Sequence, residues 1–231
     1  MTYQKFITDP MPEYTKGEEI FNYVSHIVGG SVGIFLVIFS SIWFGVSDIN
    51  LSAYLGMMIF SISIILLYTI STLYHALKKG SIAKRVFRIM DHCTIYLLIA
   101  GTYTPICLIA LEGSVYCIIL LLIEWGCAFL GILLKVTDMN NKIIKIVSTS
   151  LYVIMGWGII IFPEAIKLMT IYQFIMILSG GIAYTVGIFF FINGKNNKWY
   201  HSIFHIFCCI GTIVQMIGVI NIFLSWKYKV K

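Results

Sequence analysis

Apolar stretches close to twenty residues long recur from about residue 23 to about residue 226, divided only by short polar breaks, and this limits the fold more than any other feature. A helix crossing a hydrocarbon layer of about 30 Å needs roughly 20 such residues at about 1.5 Å each. Cutting the sequence where charges, Gly, Pro or Asn cluster gives seven spans: Val24 to Val46, Leu51 to Ala76, Cys93 to Leu111, Val115 to Leu134, Ile143 to Phe162, Met169 to Ile192 and His201 to Trp226. The shortest breaks are Ser47 to Asn50 and Glu112 to Ser114. A water-soluble core is excluded by composition, because 59% of the 231 residues are hydrophobic and 11% are charged, against roughly 25% charged in soluble domains. The expectation is all-α: a seven-transmembrane helical bundle forming one membrane domain over residues 23–226, preceded by a cytoplasmic segment, 1–22, and followed by a short external tail, 227–231.

The first 22 residues are polar and include Pro10, Pro12, Glu13, Lys16, Glu18 and Glu19. A secretory leader opens instead with a basic end and a shorter apolar centre, so the first span reads as retained. Orientation follows from the lysines and arginines of the short loops. Lys5 and Lys16, then Lys78, Lys79, Lys84, Arg85 and Arg88, then Lys135, Lys142 and Lys145, then Lys195 and Lys198 all fall on one side, leaving Lys167, Lys227, Lys229 and Lys231 on the other. The basic side is expected to be cytoplasmic, with the N-terminus inside and the C-terminus outside the cell membrane. The formal charge of +6 then reflects topology and attraction to anionic inner-leaflet lipid rather than nucleic acid. Membrane lipids are the expected partners. Cys93, Cys107, Cys117, Cys127, Cys208 and Cys209 lie in apolar stretches without Cys-x-x-Cys spacing, which argues against a disulfide framework or a thiolate zinc site.

Ionisable groups are costly in a bilayer, so their placement points to function. All five histidines, His26, His75, His92, His201 and His205, stand at span ends, and the assigned orientation puts every one on the cytoplasmic side. His201 and His205 are four apart, so on a helix their imidazoles project from one face a turn apart and can share a metal ion. His75 can supply a third ligand, and three neutral imidazoles with an open fourth position are the arrangement of catalytic zinc. The competing reading is amphipathic rings resting at the headgroup level. Ser71 precedes His75 by four on the same face and is either part of the site or a helix-packing serine. Asp91 is either an acid favoured by the exposed N–H groups of a first helical turn or a general base that accepts a hydrogen bond from a metal-bound water. His92 points about 100° around the helix from Asp91 and is left outside the site.

Glu18, Asn22 and His26 stand four apart and form a polar stripe leading to Gly29, Gly30 and Gly33, either an outer shell of the site or a helix entry. Glu124 lies mid-span, where a carboxyl is expected to be protonated or paired. Pro105 is expected to kink the third span and widen a cavity.

Together, Glu18-x-x-x-Asn22-x-x-x-His26, Ser71-x-x-Tyr74-His75, the segment from Asp91 to Pro105, and His201-x-x-x-His205 resemble the bacterial haemolysin III family, a relative of the progestin and adipoQ receptors, including the adiponectin receptors, and more distantly of the alkaline ceramidases. Phe204 departs from the tryptophan expected in many bacterial relatives. The resemblance implies a seven-helix domain with the N-terminus inside and a Zn2+ ion near the inner leaflet. Its ligands would be His75, His201 and His205, with Asp91 holding the zinc-bound water and Ser71 nearby. It leaves the substrate open. Two function classes follow: a zinc-dependent lipid amide hydrolase, in which Asp91 and Ser71 are catalytic, and a non-enzymatic receptor, regulator or haemolysin-like permeabiliser in which zinc is structural. A transporter using Glu124 has less behind it, and the charge pattern opposes a rhodopsin-like protein.

Overall fold

Side chains that would be core in a soluble protein face outward here. Val46 and Ile171 are 75% and 73% exposed, whereas Glu18, Lys84, Glu124 and Lys135 are buried. This inversion marks lipid as the solvent. The computed structural model describes residues 3–194 and 197–226, and among them regular structure is entirely helical. Lys195 and the tail residues Lys227, Lys229 and Lys231 lie outside the described residues.

The helices are α1 (Tyr3–Thr8), α2 (Lys16–Val46), α3 (Leu51–Ala76), α4 (Ile82–Pro105), α5 (Val115–Asp138), α6 (Lys142–Gly156), α7 (Pro163–Ile166), α8 (Ile171–Asn193) and α9 (Tyr200–Ser225). Several starts carry the side-chain caps that satisfy otherwise orphaned N–H groups. Thr15 and Glu18 form a reciprocal capping box on α2, Thr170 and Gln173 do the same on α8, and Asn50 and Ser81 cap α3 and α4. Both short breaks persist as loops, and at the second Gly113 turns the chain at φ +77. There Glu112 gathers the far end of the bundle, accepting from Asn50 Nδ2 at 2.7 Å and Trp226 Nε1 at 2.9 Å.

α2 packs on α3, α3 on α4, α4 on α5 and α5 on α6, while α9 packs on both α8 and α2. The α2–α3 contact depends on Gly33, where a Cβ would lie 2.9 Å from the Ser61 carbonyl oxygen. Small residues that let backbones approach in this way are the usual basis of helix association in lipid. At Pro105 the α-helix gives way to a π-turn, Ile106–Ala110, the change of winding expected where proline removes a backbone donor.

Six helices are long and apolar enough to cross a membrane: α2, α3, α4 with its π-turn, α5, α8 and α9. The stretch Ile143 to Phe162 is not one continuous helix. α6 has 15 residues, about 22 Å at 1.5 Å per residue, and is followed by a 3-10 turn, Gly158–Ile161, and then α7. The break has a tertiary cause. Tyr103 Oη accepts from the Ile159 N–H at 3.0 Å, and Glu124 Oε1 lies 2.7 Å from the Cβ that Gly158 lacks. Neither Glu124 oxygen has a hydrogen-bond partner.

Candidate metal centre

α9 begins with Trp199 in the left-handed region, φ 65, and its backbone N–H donates to Glu18 Oε1 at 2.7 Å. Glu18 therefore both caps α2 and fixes the first turn of α9. Two residues on, His201 and then His205 project from one face towards His75 near the end of α3. His205 Nε2 lies 3.1 Å from His201 Nε2, and His201 Nε2 lies 3.4 Å from His75 Nε2. Tetrahedral zinc, with Zn–N of about 2.0–2.1 Å, sets its nitrogens about 3.3–3.4 Å apart. All three rings are buried, and their ligand atoms lie within 4.8 Å of one another.

The tautomer of His75 is set from behind. Its Nδ1 stands 2.6 Å from Glu19 Oε2, so Nδ1–H donates to the carboxylate and Nε2 presents a lone pair to its neighbours. A carboxylate behind an imidazole is the usual partner of a metal-bound histidine. Lys84, 3% exposed, holds Glu19 in turn. Its Nζ donates to Glu19 Oε1 at 2.9 Å and to the carbonyls of Tyr74, His75 and Leu77 at 2.9, 3.2 and 3.1 Å. With His201 and His205 in the tautomer that leaves Nε2 unprotonated, three imidazole lone pairs converge, a donor set that fits a divalent metal as the spacing does.

The polar stripe on α2 surrounds this trio. Asn22 Oδ1 accepts from the Ser202 hydroxyl at 2.7 Å, and Asn22 Nδ2 lies 3.4 Å from His75 Nδ1. His26 stacks on His205 with centroids 3.8 Å apart, both of its nitrogens unpartnered. Ser71, one turn before His75, is hydrogen-bonded to Asp91 on α4. His92 faces elsewhere, donating from Nδ1 to the Arg88 carbonyl at 3.0 Å. All six cysteines are free thiols.

Three contributors escape sequence reasoning. Glu19 is one position off the i, i+4 stripe, and Lys84 reads as one more loop cation. Tyr14 belongs to the N-terminal segment, yet its ring stacks on His201 with centroids 4.8 Å apart and lies 5.5 Å from the His75 ring. Burial pushes its phenol well above the ordinary value, so it stays uncharged beside the histidines. The segment is tied down by Arg85 Nη1, which donates to the Phe6 and Asp9 carbonyls at 3.2 and 2.6 Å, and by Asn140 Nδ2, which donates to Asp9 Oδ2 at 2.8 Å.

A cavity of about 990 Å³, its open mouth included, runs between α4, α6, α8 and α9 beside this centre. Its walls are mostly apolar, and two of its lining residues, Phe191 and Phe204, also flank His201 with centroids 6.3 and 5.7 Å away.

The family profile for haemolysin-III related proteins matches residues 14–216, a stretch that contains the trio and its carboxylate support. The chain belongs to the haemolysin-III related family. It is similar to "Hemolysin-3" of Bacillus cereus, 36% identical over 215 residues covering 91% of this chain and 93% of that one. It is also similar to "Hemolysin-3 homolog" of Bacillus subtilis (strain 168), 35% identical over 212 residues covering 90% and 95%. Family membership and the six apolar spans make this haemolysin III relative a multi-pass cell membrane protein.

Proposed function

We propose that the protein is a zinc-dependent hydrolase of a lipid amide. The observation that carries the reading is the convergence of three buried imidazoles at metal-ligand spacing beside an apolar cavity. His75, His201 and His205 would hold the ion, which when bound supplies a Lewis acid that acidifies water and polarises a carbonyl. Asp91 takes the proton from the attacking water and returns it to the leaving amine. Ser71, on the turn before His75, donates to the Asp91 carboxylate before reaction and, once Asp91 has taken the water proton, turns its one hydroxyl proton to the oxyanion that develops on the amide. Phe191 and Phe204 seat the acyl chain and exclude water from the reacting carbon.

The same reading takes α6 and its 3-10 turn as a fifth, broken span, giving seven in all. The histidine end faces the cytoplasm, with the N-terminus inside and the C-terminus outside, as loop charge implies. A broken helix is tolerated at membrane depth where other protein groups satisfy its backbone, as Tyr103 does for Ile159.

Purified protein offered a fluorescent N-acyl lipid amide is expected to release fatty acid, to stop with chelator and to resume with added zinc. Asp91→Asn is expected to lower kcat by roughly 100- to 10,000-fold, the usual span of general acid–base catalysis. Absence of metal-dependent release from any lipid amide refutes the hydrolase. The name of the relatives favours a second reading, membrane permeabilisation, in which zinc is structural. Dye leakage from vesicles that survives Asp91→Asn but is lost with His205→Ala would select it.

A further inference from the structure

From the charges behind the cavity, we propose that the lipid carries an anionic, phosphate-bearing headgroup, read by Arg88 of α4 and Lys135 of α5. This deepens the hydrolase reading and rests on its premise that a lipid occupies the cavity. Lys135 is 2% exposed although its long stem ends in an ammonium. Its ammonium lies 5.6 Å from the centroid of the Tyr152 ring, and Tyr152 lines the apolar cavity. Arg88 and Lys145 both repel that ammonium, and among the described residues no ion pair joins it to a carboxylate.

Arg88 is the link between this lysine and the metal centre. It acts electrostatically on Asp91 and on Tyr14, which stacks on His201. Its Nε is buried and donates to nothing. It also lines a crevice of about 240 Å³ with Arg85 and Asn140, at the end of the bundle that holds the histidines. Asp91 offsets one positive charge. Lys135, which Arg88 and Lys145 repel, is left in excess, and burying like charges together without an anion is strongly unfavourable.

An anionic lipid resolves the imbalance. Its acyl chain lies in the cavity along Tyr152 and Phe191, and its phosphate lies between Lys135 and the open donors of Arg88. Arginine suits this role because its planar fork matches phosphate oxygens. A neutral ceramide-like lipid would leave the Lys135 ammonium and the buried Nε of Arg88 without an acceptor.

The test is lipid retention by the full-length protein, read by native mass spectrometry in neutral detergent on metal-free and zinc-loaded samples, so that no turnover is needed. Phosphatidylglycerol is expected to be retained and diacylglycerol of the same chains to be lost. Arg88→Gln and Lys135→Gln are each expected to weaken retention about 10- to 100-fold, the range for loss of a charge-assisted hydrogen bond. Lys135→Arg, which keeps the charge, is expected to restore it and so separates recognition from misfolding. Lys79→Gln, whose ammonium pairs with exposed Glu13 at 2.7 Å, is expected to change nothing. Equal retention of phosphatidylglycerol and diacylglycerol, or a Lys79→Gln loss equal to that of Lys135→Gln, overturns the proposal. Displacement by millimolar inorganic phosphate also overturns it, by making the occupant a soluble anion. Selective retention without hydrolysis of any lipid amide would fell the hydrolase and leave the headgroup site standing.

Discussion

His205→Ala is expected to leave the purified protein without bound metal, while His92→Ala is expected to retain a single ion. The contrast follows from geometry, since His205 Nε2 lies 3.1 Å from its counterpart on His201, whereas His92 donates to its own helix at Arg88. Removing an outer-shell partner of a metal ligand costs roughly 10- to 100-fold in affinity. Removing one of only three ligands costs more than that, enough to empty the site during purification. Elemental analysis beside circular dichroism checks the result, because His205→Ala also removes the ring on which His26 stacks at 3.8 Å. Retained helicity with metal at background is the expected pair of readings. Equal metal in the two variants contradicts the trio.

The second large effect is on stability. Lys84→Met is expected to destabilise the folded protein by roughly 3 kcal/mol, the low end of the ~3–5 kcal/mol for breaking a buried ion pair from one side. The low end applies because the Glu19 side chain is 21% exposed and keeps some contact with solvent. The lysine closes the carbonyl end of α3 through three backbone acceptors, which methionine leaves unsatisfied. Denaturant unfolding in detergent reads the loss. Metal affinity should fall with it, since Glu19 loses the charge that holds it against His75. A Lys84→Met protein as stable as the wild type would show that this buried ammonium is idle.

Six of the span positions were legible because apolar run length is a local signal. The trio was legible because i, i+4 spacing fixes His201 and His205 on one face, and their common position at span ends places His75 beside them. The support of the trio was not legible. Glu19 falls outside the stripe of Glu18, Asn22 and His26, and only the fold shows that the stripe packs on α9 while Glu19 turns to α3. Lys84 was counted with the loop cations because nothing local reveals that the chain after Leu77 returns α4 beneath the end of α3. Tyr14 is distant in sequence from the histidines it covers. The interruption of α6 is equally non-local: Ile143 to Phe162 is apolar throughout, and the break is set by Tyr103 and Glu124 from other helices.

X-ray absorption at the zinc edge of the wild-type protein tests the metal centre most directly. Three imidazole nitrogens at about 2.0–2.1 Å and one oxygen neighbour is the expected first shell. A shell with sulfur, or with fewer than three imidazoles, contradicts it.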